Sequence, residues 1–294
     1  MKTFLNILFL IISVVCLAQT PSSNQNYIKT SIYREPTTSV DDSKAQVNVT
    51  YFDGIGRPVQ MVSGKMSGEG KDIITHISYD GFGIKVLDFL PYAKETDNLS
   101  FDEQAEFNSF DFYNKPEFQN SSNPYSEMFI ELSPLNRVIK QAAPGDKWKG
   151  DVSNNDNTIK YAYLLNSDND AVKKLTAIAA WNPTTKIYDV TFNTNSGANY
   201  PEGALYKTIT QNENKIGPVY TSTALASKVN TSEEYKNKEG QTVLKRTFNW
   251  VRGAPSPDIL NTYYIYDQFG NLAFVSSPNA NGSNSTINLN NHTY

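Results

Sequence analysis

The stretch Tyr266-Asp267-Gln268-Phe269-Gly270-Asn271-Leu272-Ala273 decides the fold, because its order of residue types returns along the chain. Asp267 opens a turn, since its side-chain oxygen can accept a backbone N–H two residues on. Two residues of right-handed turn geometry follow. Gly270 then occupies a position of positive φ, which glycine and asparagine tolerate best. A type I turn closed by such a residue is a common hairpin connection whose twist suits the flanking strands. The same order stands in Phe52-Asp53-Gly54-Ile55-Gly56-Arg57-Pro58-Val59 and in Tyr79-Asp80-Gly81-Phe82-Gly83-Ile84-Lys85-Val86. Eroded copies are Leu132-Ser133-Pro134-Leu135-Asn136-Arg137-Val138-Ile139 and Lys236-Asn237-Lys238-Glu239-Gly240-Gln241-Thr242-Val243. Val59, Val86, Ile139, Val243 and Ala273 fall at one place in the returning strand. A lone Asp-x-x-Gly marks an unrelated turn in any β protein. Five copies with opener, positive-φ residue and apolar position in common define one hairpin used repeatedly. Their irregular spacing excludes a strict solenoid.

Between the turns, apolar residues alternate with the period of a half-buried strand. Val47, Val49 and Tyr51 share one face; so do Ile73, Thr75, Ile77 and Tyr79, then Ile159, Tyr161 and Tyr163. Tyr188, Val190 and Phe192, and later Leu244, Phe248 and Trp250, repeat the pattern. Clusters of Gly, Asn, Asp, Ser and Pro separate these runs, with Ser67 to Lys71 and Ser276 to Ser285 as exposed loops. One helix is expected over 101–113, with Ser100 and Glu103 as a capping box and Pro116 as its stop. The fold class is therefore all-β, antiparallel sheets of repeated hairpins with one short helix.

The 294-residue chain is 39% hydrophobic and 19% charged, a balance that fits a folded protein. Its net charge of −4, without a basic patch, argues against nucleic acid as a partner. Lys2, the apolar run Phe4 to Leu17 and the small Ala18 read as a secretory signal helix over 1–18, cleaved after Ala18. The run is short for a bilayer span. Val15 before Cys16 argues against lipid attachment. Cleavage removes the single cysteine, so the exported chain depends on its core rather than on disulfides. The expected parts are 1–18, a β domain over 19–145 and a β-rich region over 146–294, secreted, on the cell surface or in the periplasm.

The Tyr-Asp-x-x-Gly-Asn/Arg unit resembles the YD repeat of the bacterial RHS-repeat family. Val49-Thr50-Tyr51-Phe52-Asp53-Gly54-Ile55-Gly56-Arg57-Pro58-Val59-Gln60, Phe89-Leu90-Pro91-Tyr92-Ala93 and Ser133-Pro134-Leu135-Asn136-Arg137-Val138 are similar to the N-terminal domain that precedes the repeats in some members. Tyr263-Tyr264-Ile265-Tyr266-Asp267-Gln268-Phe269-Gly270-Asn271-Leu272 is close to a full YD unit. The resemblance implies a structural role: repeats wind into a β shell that encloses a C-terminal toxin or presents an adhesive surface. The partners it implies are further RHS repeats or a toxin domain. The long repeat array, the shell's terminal core and a toxin domain are missing from this sequence, which reads as a truncated member or an accessory piece.

No catalytic, cofactor or metal site is expected. His76 alternates with Ile77 and is read as facing solvent or a polar neighbour, and His292 lies in a polar tail. Asp168 and Asp170 flank Asn169 without the spacing of a calcium loop, and are read as a solvated turn. Gly81-Phe82-Gly83 lacks the third glycine of a dinucleotide loop. The pairs Asp41-Asp42 and Glu233-Glu234 are read as surface charge rather than glycosidase carboxylates. Trp148, Trp181 and Trp250 are expected in the core. Their alternative use is a sugar-stacking platform, with a surface glycan as partner.

Overall fold

The computed structural model describes residues 20–192, 198–220, 224–250 and 253–278. The expected signal helix, Cys16 and His292 lie outside the described residues. Among the described residues, sixteen strands in antiparallel ladders and one α-helix make an all-β fold. It forms two compact units. One uses residues up to Met128 together with Ala142–Lys149; the other uses Phe129–Gln141 and the chain from Gly150 onward. A single cut near residue 145 therefore differs from the observed division, in which the Ser133 turn belongs to the second unit.

In the first unit, β1 (Asn26–Tyr33), β2 (Ala45–Phe52), β3 (Pro58–Ser63) and β4 (Ile73–His76) form a sheet. β5 (Leu87–Phe89) lies outside it and pairs with β7 (Tyr125–Ile130), while β6 (Tyr92–Ala93) closes the order β1-β2-β3-β4-β6. Alternation in β2 turns Val47, Val49 and Tyr51 into one core with Val62, Ile74, Tyr92 and Leu99. Ile74, not Ile73 or Thr75, is the β4 residue fully buried there. Helix α1 (Ala105–Tyr113) lies against this core. Its fully buried residues are Ala105 and Ser109, one turn apart, while Phe112 and Tyr113 pack against the core partly buried. The capping box does not form. Ser100 is engaged with Asn98 and Lys94, and Asp102 takes over, accepting the Gln104 N–H at 3.0 Å and the Ala105 N–H at 3.3 Å on its carboxylate and carbonyl. The helix consequently starts four residues later than residue 101.

The second unit carries β8 (Val138–Ala142), β9 (Ile159–Leu165), β12 (Tyr206–Gln211), β13 (Thr231–Lys236), β14 (Thr242–Asn249), β15 (Asp258–Tyr266) and β16 (Leu272–Ser276), paired in the order β16-β15-β14-β13-β12-β9-β8. A separate ribbon pairs β10 (Ala177–Asn182) with β11 (Ile187–Phe192). The apolar core gathers Val172, Leu205, Tyr235, Val243, Leu244 and Tyr263. Register sets Lys207 opposite Tyr235, Tyr235 opposite Leu244, and Glu233 opposite Arg246. Because side chains alternate along a strand, charged Lys207, Glu233 and Arg246 share the inner face with the core.

Candidate functional site: latched hairpins and a buried charge cluster

The five openers and positive-φ residues occupy one turn geometry. Gly56, Gly83, Asn136, Gly240 and Gly270 have φ of +86°, +81°, +48°, +80° and +85°. Each donates its N–H to the carbonyl of the opener, Asp53, Asp80, Ser133, Asn237 or Asp267, at 3.0–3.1 Å. In the first copy, Asp53 Oδ1 also accepts the Ile55 and Arg57 N–H groups, and Arg57 Nε reaches Asp53 Oδ2 at 2.8 Å. The turns after β2, β13 and β15 each carry a register shift, as an extra bulged residue requires. The Asp80 turn is different in use. It joins β4 to β5, which belong to different ladders, so five like turns are not five hairpins. At Ser133 the closing bond is Glu131 N–H to Arg137 C=O, which lengthens the loop. A sixth copy lies in the stretch expected as a loop: Gly70 at φ +72° donates to Ser67 C=O, and Ser67 N–H to Lys71 C=O. Gly56→Val places a β-branched side chain in the left-handed region, and we expect a loss of about 1–2 kcal/mol. Urea titration reads it, and an unchanged midpoint would contradict the strain.

Three tyrosines tie a later strand end to the returning strand of an earlier turn. The Tyr79 hydroxyl donates to Pro58 C=O at 2.9 Å, Tyr163 to Val138 C=O at 2.8 Å, and Tyr266 to Thr242 C=O at 3.0 Å. Each acceptor is the second residue after a positive-φ position: Gly56, Asn136 and Gly240. The residue between them completes the latch. Arg57 lies 4.4 Å over the Tyr79 ring and Arg137 4.5 Å over the Tyr163 ring, cation–π contacts in both cases. Gln241 instead donates to Gly270 C=O in the next turn at 3.0 Å. Thus in Tyr79-Asp80 and Tyr266-Asp267 the tyrosine holds an earlier unit while the aspartate shapes its own turn; Tyr163, followed by Leu164, makes the same bond outside a Tyr-Asp pair. Tyr266→Phe removes the bond and keeps the ring; a loss of about 1 kcal/mol is expected by thermal denaturation.

Of the Glu233-Glu234 pair read as surface charge, Glu233 lies in the interior of the second unit among buried cations. Glu233 is fully buried. Lys207 and Lys228 approach its Oε1 at 3.2 and 3.3 Å, and Arg246 its Oε2 at 3.4 Å. Tyr235 donates to Oε2 at 2.7 Å, and Tyr220 donates to Oε1. Asp170 is not a solvated turn residue. It is buried and meets Lys207 at 2.6 Å, while its Oδ2 accepts the Ser167 N–H in a capping box. A second group sets Lys140 and Lys160 on the two oxygens of Asp156, at 2.8 and 2.7 Å. Burial alone would raise the pKa of Asp156, Asp170 and Glu233. Their hydrogen bonds, from Lys140 and Lys160, from Lys207, and from Tyr220 with the surrounding cations, outweigh it and hold all three below their ordinary values of 3.8 and 4.5. A depressed folded-state pKa means stability that is present above the unfolded value and lost as pH falls through the folded one. We expect a melting temperature that stays level from about pH 7 to about pH 5 and drops below about pH 4. A drop that starts near neutrality would contradict the assignment.

The remaining candidates fall apart in space or function. His76 is half-buried rather than solvent-facing, its ring edge-on to Phe89 at 5.0 Å and its Nε2 without a hydrogen-bond partner. Burial lowers its pKa, against the opposing charges of Glu106 and Asp102. It borders a cleft of 770 Å³ with Asp102, Glu103 and Glu106. Asp102 is occupied, however, by Tyr92, Asn108 and Gln104. Asp42 of the other acidic pair binds Lys29 and Ser31. Trp148, Trp181 and Trp250 are exposed, contrary to the expectation of core. Trp181 and Tyr188 meet at 5.3 Å, and Tyr188 meets Phe269 at 5.8 Å, beside a 480 Å³ cleft. Among the described residues, no three His, Cys, Asp or Glu side chains converge as a metal site requires, and no helix is long and apolar enough to cross a membrane.

Fold and turns together define a hairpin-built, antiparallel β protein. Residues 27–163, somewhat under half the chain, match the family described as Domain of unknown function (DUF6443). No curated protein matches the chain. Among solved structures it is similar to TcdB2-TccC3-Cdc42, with a TM-score of 0.45 and 14% identity over 86% of this chain and 10% of that one. It is also similar to TcdB2-TccC3 without the hypervariable C-terminal region, at 0.42 and 14% over 80% and 9%. A third is the Photorhabdus luminescens Tc holotoxin pore with a substituted TccC3, at 0.39 and 13% over 86% and 10%. The chain spans about a tenth of the length of these structures.

Proposed function

We propose that this protein is a structural and interaction module without catalytic activity. It is the N-terminal part of an RHS-type β shell, exported by its signal segment, that encloses or presents a C-terminal toxin or adhesive domain. The tyrosine latch is the observation that supports this most. Three times a later tyrosine is bonded to the returning strand of an earlier turn, a contact by which a sheet of this kind is extended one unit at a time. Among the described residues β16 is the outermost strand of the second unit's ladder, and Leu272 stands two residues after Gly270, as Thr242 does after Gly240. A following unit would seat its tyrosine on Leu272 C=O. Sequencing the coding DNA past the Tyr294 codon tests the reading. Further Tyr-Asp-x-x-Gly units in frame, then a domain without them, are the expected result. A stop codon followed by an unrelated gene would overturn the shell.

One observation favours a second reading, a carbohydrate-binding module. Trp181, Tyr188 and Phe269 are 52%, 51% and 60% exposed, and sugars stack on such rings. Pulldown on bacterial polysaccharides, with Trp181→Ala as the comparison, separates the two. Retention that the substitution abolishes would support glycan binding, and equal passage of both proteins would remove it.

A further inference from the structure

Asp170 and Lys207 stand 37 residues apart, with Lys207 Nζ 2.6 Å from Asp170 Oδ1 and both side chains more than nine-tenths buried. Three features distinguish this contact from an ordinary ion pair. A second carboxylate, Glu233, lies 3.2 Å from the same Nζ and is itself fully buried. The other oxygen of Asp170, Oδ2, is held by the Ser167 N–H at 2.8 Å and the Ser167 hydroxyl at 3.3 Å. The backbone carbonyl of Asp170 is fixed by Arg246 Nη2 at 2.9 Å. Nucleophile, electrophile and proton acceptor are therefore all oriented before any reaction, which is the arrangement that lowers a barrier most.

We propose that this cluster is a self-modification site in which Lys207 Nζ and Asp170 Cγ condense to an amide, with Glu233 as the catalytic proton carrier. Glu233 takes a proton from the Lys207 ammonium and passes it to Asp170 Oδ1, which leaves a neutral amine facing a neutral carboxylic acid. The Nζ lone pair attacks Cγ, and the charge that develops on Oδ2 is met by the Ser167 N–H. Glu233 then carries the second proton from Nζ to the Oδ1 hydroxyl, which departs as water while the C=O at Oδ2 re-forms. An ammonium and a carboxylate become one neutral amide and one water molecule, with no change of oxidation state. The Tyr235 hydroxyl donates to Glu233 Oε2 at 2.7 Å and steadies that carboxylate. The Asp156 group lacks this chemistry. Lys140 and Lys160 occupy both of its oxygens, so neither is left to depart.

The bond would tie β12 to the turn at Asp168–Asp170 in a stretch, residues 20–278, that contains no cysteine. Peptide mapping of the purified full chain, denatured and digested with trypsin, tests it. The peptides that carry Asp170 and Lys207 should run as one species, lighter than their sum by one water, with no cleavage after Lys207. Lys207→Arg should release the Asp170 peptide as a separate species of full mass. Wild-type peptides of full mass, with cleavage after Lys207, would overturn the proposal whatever becomes of the variant.

Discussion

Replacing Glu233 with alanine is expected to destabilise the second unit by about 3–5 kcal/mol. The loss follows from what remains behind. Lys207, Lys228 and Arg246 converge on this carboxylate, and none is exposed by more than a small fraction. Without it, buried cations face one another and the Tyr220 and Tyr235 hydroxyls lose their acceptor. The neighbouring residue supplies the control. Glu234 points outward, with exposed Lys236 and Lys245 as partners at 3.1 and 3.5 Å. Glu234→Ala should cost less than about 1 kcal/mol, as solvent-screened pairs do. Urea denaturation of the two variants side by side decides it. Equal losses would mean that Glu233 is not the hub of the cluster.

Tyr51→Ala is the second large effect, and it falls on the first unit. Tyr51 is fully buried, its ring edge-on to Phe101 at 5.2 Å. Its hydroxyl donates to Leu99 C=O at 2.7 Å and accepts the Ser22 N–H at 2.9 Å. Truncation removes a whole aromatic from the β2 face and should cost about 3–5 kcal/mol. Tyr51→Phe keeps the ring and strands two backbone groups, for a loss of about 1–3 kcal/mol. Thermal melts should rank alanine below phenylalanine below wild type. A phenylalanine variant as stable as wild type would show that the hydroxyl contributes little.

The turns were legible because their constraint is local. Positive φ narrows the choice to glycine or asparagine within a few residues of an acidic or hydroxyl side chain, and a sequence displays that directly. The buried charges were misread although the alternation that places them was visible. Tyr235 faces the core, so Glu233, two residues earlier on the same strand, must face it too. Leu244 and Phe248 bracket Arg246 in the same way. The habit of setting charges outside overrode a period-2 pattern that left no such choice. Ile73-Ile74 was ambiguous for a different reason, since two adjacent isoleucines fit either face. The latches could not be read from neighbours, because partner and tyrosine are 21 to 25 residues apart. The start of α1 depended on Asp102, whose carboxylate is held by Tyr92 of β6, a contact no local pattern encodes.

The direction of the latches has a consequence for how such a chain comes into being. Tyr79, Tyr163 and Tyr266 all come later in sequence than the carbonyls they bind. A polypeptide emerging amino end first thus meets, at each newly made tyrosine, an anchor that has already been synthesised. Order of synthesis and order of assembly coincide, so a growing sheet can set itself behind the ribosome or translocon without waiting for its far end.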